Sequence, residues 1–208
     1  MTSDCKPKVK VRIKRSIKRK ELQQLFDSIQ GETWVDARDR ALISVLFRTG
    51  LRRGEVAGLQ VSDFDFDERR LLIHADSSKS AADAVLPFDR ETARLLRDYL
   101  ACRPSHPTDS NILWYASDGC GRVKVPPLTG DGIYQVTKRR CAQAGLPRFN
   151  PQSFRRGFGS ALLNVGVNIG EVSALLRHSS VKITETWYVE HELQVLERVY
   201  HDAQDRLR

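Results

Sequence analysis

Gln152-Ser153-Phe154-Arg155-Arg156-Gly157-Phe158, then Leu176-Arg177-His178-Ser179-Ser180, then Thr186-Trp187-Tyr188, is the stretch from which the rest of this chain is read. Phe154, Phe158, Ala161, Leu162 and Val165 recur at helical spacing and predict a buried helix stripe. Arg155 sits inside that stripe, and a buried cation needs a partner. Asn168 followed by Glu171 predicts a capping box for a helix carrying Val172, Leu175 and Leu176. Guanidinium, imidazole and phenol together form a set that can hold a phosphate and attack it.

Working outward, Thr49-Gly50-Leu51-Arg52-Arg53-Gly54-Glu55 follows a helix with Ala41, Leu42, Val45 and Leu46 on one face, capped by Asp36. Gly50 interrupts that helix and a new turn begins. Arg52 and Glu55 then share a face, where the carboxylate can orient the guanidinium. Upstream, Ser16 is read as the N-cap of a helix bearing Leu22, Leu25, Phe26 and Ile29. Val61 to Phe66 reads as an acidic turn. Leu71–His74 and Ala84–Pro87 read as two strands joined by a long polar loop that contains Lys79.

Glu91 to Leu100 predicts an amphipathic helix, and residues 103–130 a surface excursion rich in Pro, Gly, Ser and Asp. Ile133 to Ala144 predicts a helix exposing Lys138, Arg139 and Arg140, stopped at Gly145. Leu193, Leu196, Val199 and Tyr200 predict a last amphipathic helix. The expected fold class is mainly α with a small antiparallel β-sheet (α+β).

Bulk properties narrow the partners. The 208 residues carry a net charge of +8. Residues 1–20 hold nine Lys or Arg against the single acid Asp4, so the remainder is balanced. Lys6, Lys8, Lys10, Arg12, Lys14 and Arg15 make this arm a candidate for nucleic acid, since neutralised phosphates release counterions. A solvated, solubilising tail is the alternative. Cys5, Cys102, Cys120 and Cys141 are scattered without a C-x-x-C pair, so neither a zinc site nor a disulfide framework is indicated. No apolar run reaches the roughly 18 residues of a membrane span, and a cytoplasmic setting with reduced thiols is expected.

These boxes occur in an order that resembles the tyrosine recombinase (phage integrase) family, from about Ser16 to Tyr200. The resemblance implies the DNA breaking-rejoining catalytic-domain fold and a reaction that uses neither metal nor cofactor. By residue, it makes Arg52 and Arg155 the two phosphate-binding arginines, Lys79 the hairpin lysine, His178 the second histidine position and Tyr188 the nucleophile, with Glu55 in support. Gln152 stands where the family has histidine, and it can donate a hydrogen bond but not act as a base. The interval from His178 to Tyr188 is ten residues, one longer than the family's usual spacing.

The implied activity is site-specific DNA cleavage and rejoining through a 3′-phosphotyrosyl link, on double-stranded DNA. It implies a homo-oligomer, a tetramer on DNA, docked through the C-terminal helix, and a nucleoid-associated protein. Residues 1–15 are then a basic arm or linker and 16–208 the catalytic domain, with no upstream core-binding domain in the sequence. Two other classes stay open: a DNA-binding protein that keeps the fold with weak or no catalysis, and a type IB topoisomerase-like nicking-closing enzyme. Each residue also has a structural alternative. Arg52 can simply pair with Glu55, His178 can end a helix, Lys79 can be solvated and Tyr188 can be core.

Overall fold

The computed structural model describes residues 15–75, 83–105, 108, 111–118, 120–178 and 204. Its elements run α1 (Arg19–Asp27), α2 (Trp34–Arg48), α3 (Arg53–Ala57), a short 3-10 turn (Val61–Asp63), β1 (Phe64–Asp65), β2 (Arg70–Ile73), β3 (Ala84–Pro87) and α4 (Arg90–Cys102). They continue with β4 (Tyr115–Ser117), β5 (Val123–Pro127), α5 (Gly130–Gln143), α6 (Pro151–Asn164) and α7 (Ile169–Leu176). Among the described residues no helix is long and apolar enough to cross a membrane.

The core forms around α2, which is apolar on more than one face and therefore has no solvent side to spare. Ala41, Leu42, Ile43, Val45 and Leu46 are fully buried, with α4 and α6 packed against them. Beside it lies the antiparallel sheet β1-β2-β3. Leu71 pairs with Leu86 and Leu72 with Val85. Leu71 and Leu86 face the core while Val85 faces out, the two-residue alternation of a one-sided sheet.

Several expectations are corrected here. Thr33, not Asp36, caps α2, accepting from the Asp36 amide. Lys18, not Ser16, precedes α1. Val61–Phe66 is not merely a turn, because its end supplies β1, with Phe64 paired to Leu71. Residues 103–130 are not simply a surface excursion. Leu113, Trp114 and Tyr115 are buried, and β4 pairs with β5 as a second sheet. The Tyr99 hydroxyl donates to the Leu113 carbonyl at 2.9 Å and stacks its ring on Trp114. Val165 is exposed rather than part of the α6 stripe, since the helix ends at Asn164.

Arg140 is the largest correction. It is buried, with Nη2 on Asp36 at 2.7 Å and Nε on Asp39 at 2.7 Å. Asp36 and Asp39 lie one helical turn apart on α2, so two carboxylates share one face and need a cation between helices. Arg38 also pairs with Asp39 and donates to the Tyr115 carbonyl. Arg140 therefore pins α5 to α2 and is withdrawn from the DNA-binding candidates. Arg139 is half-exposed with one amino group on Asp39, and Lys138 is half-buried.

Candidate active site

Three local structures bring the site together. The first is the turn after α2. Gly50 takes a left-handed backbone (φ +63°), which a glycine adopts without the strain a Cβ would bring. The chain thereby turns so that its carbonyl points at α6. Arg52 then becomes the N-cap residue of α3, and its amide donates to Glu55 Oε2 at 2.7 Å. Its guanidinium reaches Glu55 Oε1 at 3.0 Å.

The second is α6. Asn150 caps it by accepting from the Ser153 amide, and Pro151 occupies the first turn, where its missing N–H is no loss. Arg155 follows, 1% exposed. On the same helix Arg156 donates to the Arg15 carbonyl and Ile17 bonds the Ser153 carbonyl. A methyl group on Gly157 would meet the Ile17 carbonyl at 2.5 Å. The chain between Arg15 and Lys18 thus lies directly on α6. Arg15 itself stacks on Phe149 and pairs with Glu21.

The third is the end of α7. The His178 amide bonds the Ser173 carbonyl and the Arg177 amide the Ala174 carbonyl, a Schellman closure around the left-handed Arg177 (φ 51°, ψ 50°). The carbonyls of Leu176 and Arg177 are left free of helix partners. Arg155 donates to Leu176 O and to Gly50 O. Arg52 donates to Arg177 O at 3.0 Å. Both arginines therefore hang from adjacent carbonyls at the negative pole of one helix.

Electrostatically the site is short of negative charge. Among the described residues, Arg52, Arg155 and Arg177 gather around the one carboxylate of Glu55. Burial alone would raise the Glu55 pKa, but hydrogen bonds from Arg52 and the charge of Arg177 outweigh it and hold the carboxyl below its ordinary value. Burial, with Arg52 and Arg177 nearby, pulls Arg155 down to about 10. Burial, then Arg155 and Arg52, pulls His178 down to about 4.

His178 is consequently neutral across pH 5–8. A histidine whose folded pKa lies below its unfolded value leaves the unfolded chain binding more protons, so stability is lost as pH falls from about 6.5 toward 4. An imidazole NMR titration, assigned with His178→Gln, is expected to give a midpoint near 4. A midpoint near 6.5 would mean that the two arginines do not face this ring.

Of the residues the sequence singles out, the structure brings Arg52, Glu55, Arg155 and His178 together. Gln152 is exposed in the first turn of α6, one turn before Arg155. Lys79 and Tyr188 lie outside the described residues, as do the arm residues Lys6, Lys8, Lys10, Arg12 and Lys14 and the predicted helix from Leu193. Arg177 is a site residue that the sequence motifs do not single out. A signal exists, since a helix ending at Leu176 calls for a left-handed residue next, and an arginine there is unusual.

The profile of the phage integrase family matches residues 15–194. This chain belongs to the phage integrase family. The integrase-family chain is 31% identical over 173 residues to the tyrosine recombinase XerC of Lacticaseibacillus casei, a match covering 80% of this chain and 55% of that protein. It is 31% identical over 191 residues to the tyrosine recombinase XerD of Corynebacterium glutamicum, covering 89% and 60%. Among solved structures, the XerA recombinase matches with a TM-score of 0.71 at 25% identity, over 86% of this chain and 60% of that one. The XerH recombinase in a post-cleavage complex with its difH substrate matches in fold with a TM-score of 0.72 at 22% identity, over 89% and 52%. This integrase-family chain thus spans just over half the length of those relatives.

Proposed function

We propose that the chain performs site-specific DNA strand cleavage and rejoining, with Arg52 and Arg155 gripping the scissile phosphate. The observation that carries this reading is the pair of guanidiniums fastened to adjacent carbonyls, with an excess of positive charge and a neutral His178 alongside. A phosphodiester carries one negative charge, and charge grows on its non-bridging oxygens as it is attacked. Preorganised bidentate donors aimed at those oxygens lower the barrier without a metal.

In this reading Tyr188 gives its phenolic proton to solvent, and its oxygen attacks phosphorus to form a 3′-phosphotyrosyl bond. The 5′-oxygen leaves and takes its proton from Lys79. Reversal by another strand's 5′-hydroxyl rejoins the DNA with the bond energy conserved, so no ATP is consumed. Neutral His178 serves as a hydrogen-bond partner to the phosphate, and exposed Gln152 supplies an amide donor where a charged or basic group would otherwise stand. The post-cleavage complex of the XerH recombinase with its difH substrate, and a Tn1549 transposon integrase solved with a circular intermediate DNA, support DNA as the substrate.

The test begins with selection of bound duplexes from a random DNA library, followed by a substrate nicked beside each candidate cleavage position. A covalent protein–DNA adduct that disappears in Tyr188→Phe is the expected result. Stable binding with no adduct at any position would leave a DNA-binding protein of this fold. Relaxation of a supercoiled plasmid without exchanged products would leave a nicking-closing enzyme.

Residues 1–15 are proposed as a DNA-binding arm joined to a catalytic domain over 16–208, and Leu193 onward as the contact between protomers of a DNA-bound tetramer. Deleting residues 1–14 is expected to weaken binding and to flatten the slope of log K against log salt by several units, at roughly 0.9 for each phosphate no longer neutralised. An unchanged slope would reduce the arm to a solubilising tail. Light scattering of the DNA complex with and without residues 193–208 tests the assembly.

A further inference from the structure

Arg177 has no part in the chemistry above, yet it is built into the site against local preference. Its left-handed backbone favours glycine. Its side chain is only 8% exposed, with Nη2 on Glu55 Oε2 at 2.6 Å, while Nε and Nη1 have no hydrogen-bond partner among the described residues. Idle donors on a buried cation call for an explanation.

The surroundings of Glu55 supply one. Its carboxylate is 1% exposed and holds Arg52 Nη1 on one oxygen and Arg177 Nη2 on the other. The other amino group of Arg52 rests on the Arg177 carbonyl. Each of those amino groups keeps a second N–H, and Nε–H is also free for a phosphate, so Arg52 can meet one without letting go, but its single positive charge is already matched by Glu55. Without a second cation, Glu55 would cancel that charge, and the phosphate would meet a neutral pair.

We infer that Arg177 is a positioning residue that balances the charge of Glu55, so that the carboxylate holds Arg52 in place while the charge and remaining N–H groups of Arg52 serve the phosphate. This rests on the strand-cleavage reading for the nature of the guest anion. The charged and titratable groups around Glu55 are Arg52 at the start of α3, Arg177 at the end of α7, and Arg155 of α6 with His178 beside them.

Thermal unfolding of the wild type, Arg177→Gly and Arg177→Lys between about pH 7 and pH 3 tests it without DNA. Glycine suits the left-handed backbone, so the glycine variant should fold. Because Glu55 is held below its ordinary 4.5, its stabilisation is present above that pH and is lost as pH falls through the lower folded value. Arg177→Gly is expected to melt a few degrees below the wild type at neutral pH, with the gap closing or reversing below 4.5. Lysine, which keeps the charge on a compact, non-planar head, should fall between. A gap that is constant with pH would overturn the inference, leaving Arg177 a packing residue.

Inorganic phosphate at neutral pH is the second probe. It should raise the melting temperature of the wild type more than that of Arg177→Gly, and equal shifts would overturn the inference. Since neither readout uses DNA, a failed adduct assay and a failed Arg177 assay remain distinguishable.

Discussion

Arg155→Ala is expected to lower the rate of covalent adduct formation on a nicked DNA substrate by on the order of 10³-fold, the loss seen when a preorganised transition-state donor is removed. Stability is expected to change far less, because two effects oppose each other. The carbonyls of Gly50 and Leu176 lose their donor, at about 1–3 kcal/mol each. Against this, the folded state already disfavours the Arg155 cation. Its pKa falls from the ordinary guanidinium value to about 10, which corresponds to about 3 kcal/mol. The variant should therefore melt within a few degrees of the wild type. Full cleavage activity in Arg155→Ala would remove the two-arginine grip from the mechanism. A collapse of stability with no separate kinetic effect would make Arg155 a structural cation.

Gly50→Ala is expected to fail for the converse reason, through the fold. A Cβ there would meet Phe158 at 2.6 Å and Leu176 at 2.8 Å on a left-handed backbone (φ +63°). The conformation disfavours alanine by about 1–2 kcal/mol, and forcing a methyl into a packed core adds about 1–3 kcal/mol. A combined loss of about 3 kcal/mol corresponds to a fall of about 6–12 °C for a chain of this size. Because the Gly50 carbonyl anchors Arg155, cleavage should fall with it. Gly54→Ala is the control. A methyl there meets nothing within 4 Å, so both melting temperature and adduct yield should hold. Equal tolerance at the two positions would show that the turn relaxes and that its carbonyl is not needed.

The residues of the candidate site are legible in the sequence because their motifs are local. Arg52-x-x-Glu55 forms within one turn, the Asn168–Glu171 capping box closes as expected, and Arg155 is buried on α6 as its apolar neighbours imply. What escapes the sequence depends on partners far along the chain. Arg140 follows two basic residues on a helix and reads as solvent-facing, yet its partners Asp36 and Asp39 lie about a hundred residues earlier. The Asp36-x-x-Asp39 spacing is the available clue, since two acids on one inward face of α2 require a cation from elsewhere. Residues 103–130 mislead for a related reason. Their turn-forming composition hides Leu113-Trp114-Tyr115, whose burial rests on the Tyr99 ring and hydroxyl.

The adjacent carbonyls at the end of α7 have a mechanical consequence. Leu176 O holds Arg155 and Arg177 O holds Arg52, so a single peptide step, roughly 3.8 Å between α-carbons, lies between the two attachment points. Displacement of α7 is then common-mode. It carries both guanidiniums in the same direction and leaves their separation, the dimension that two phosphate oxygens would read in the proposed grip, almost unchanged.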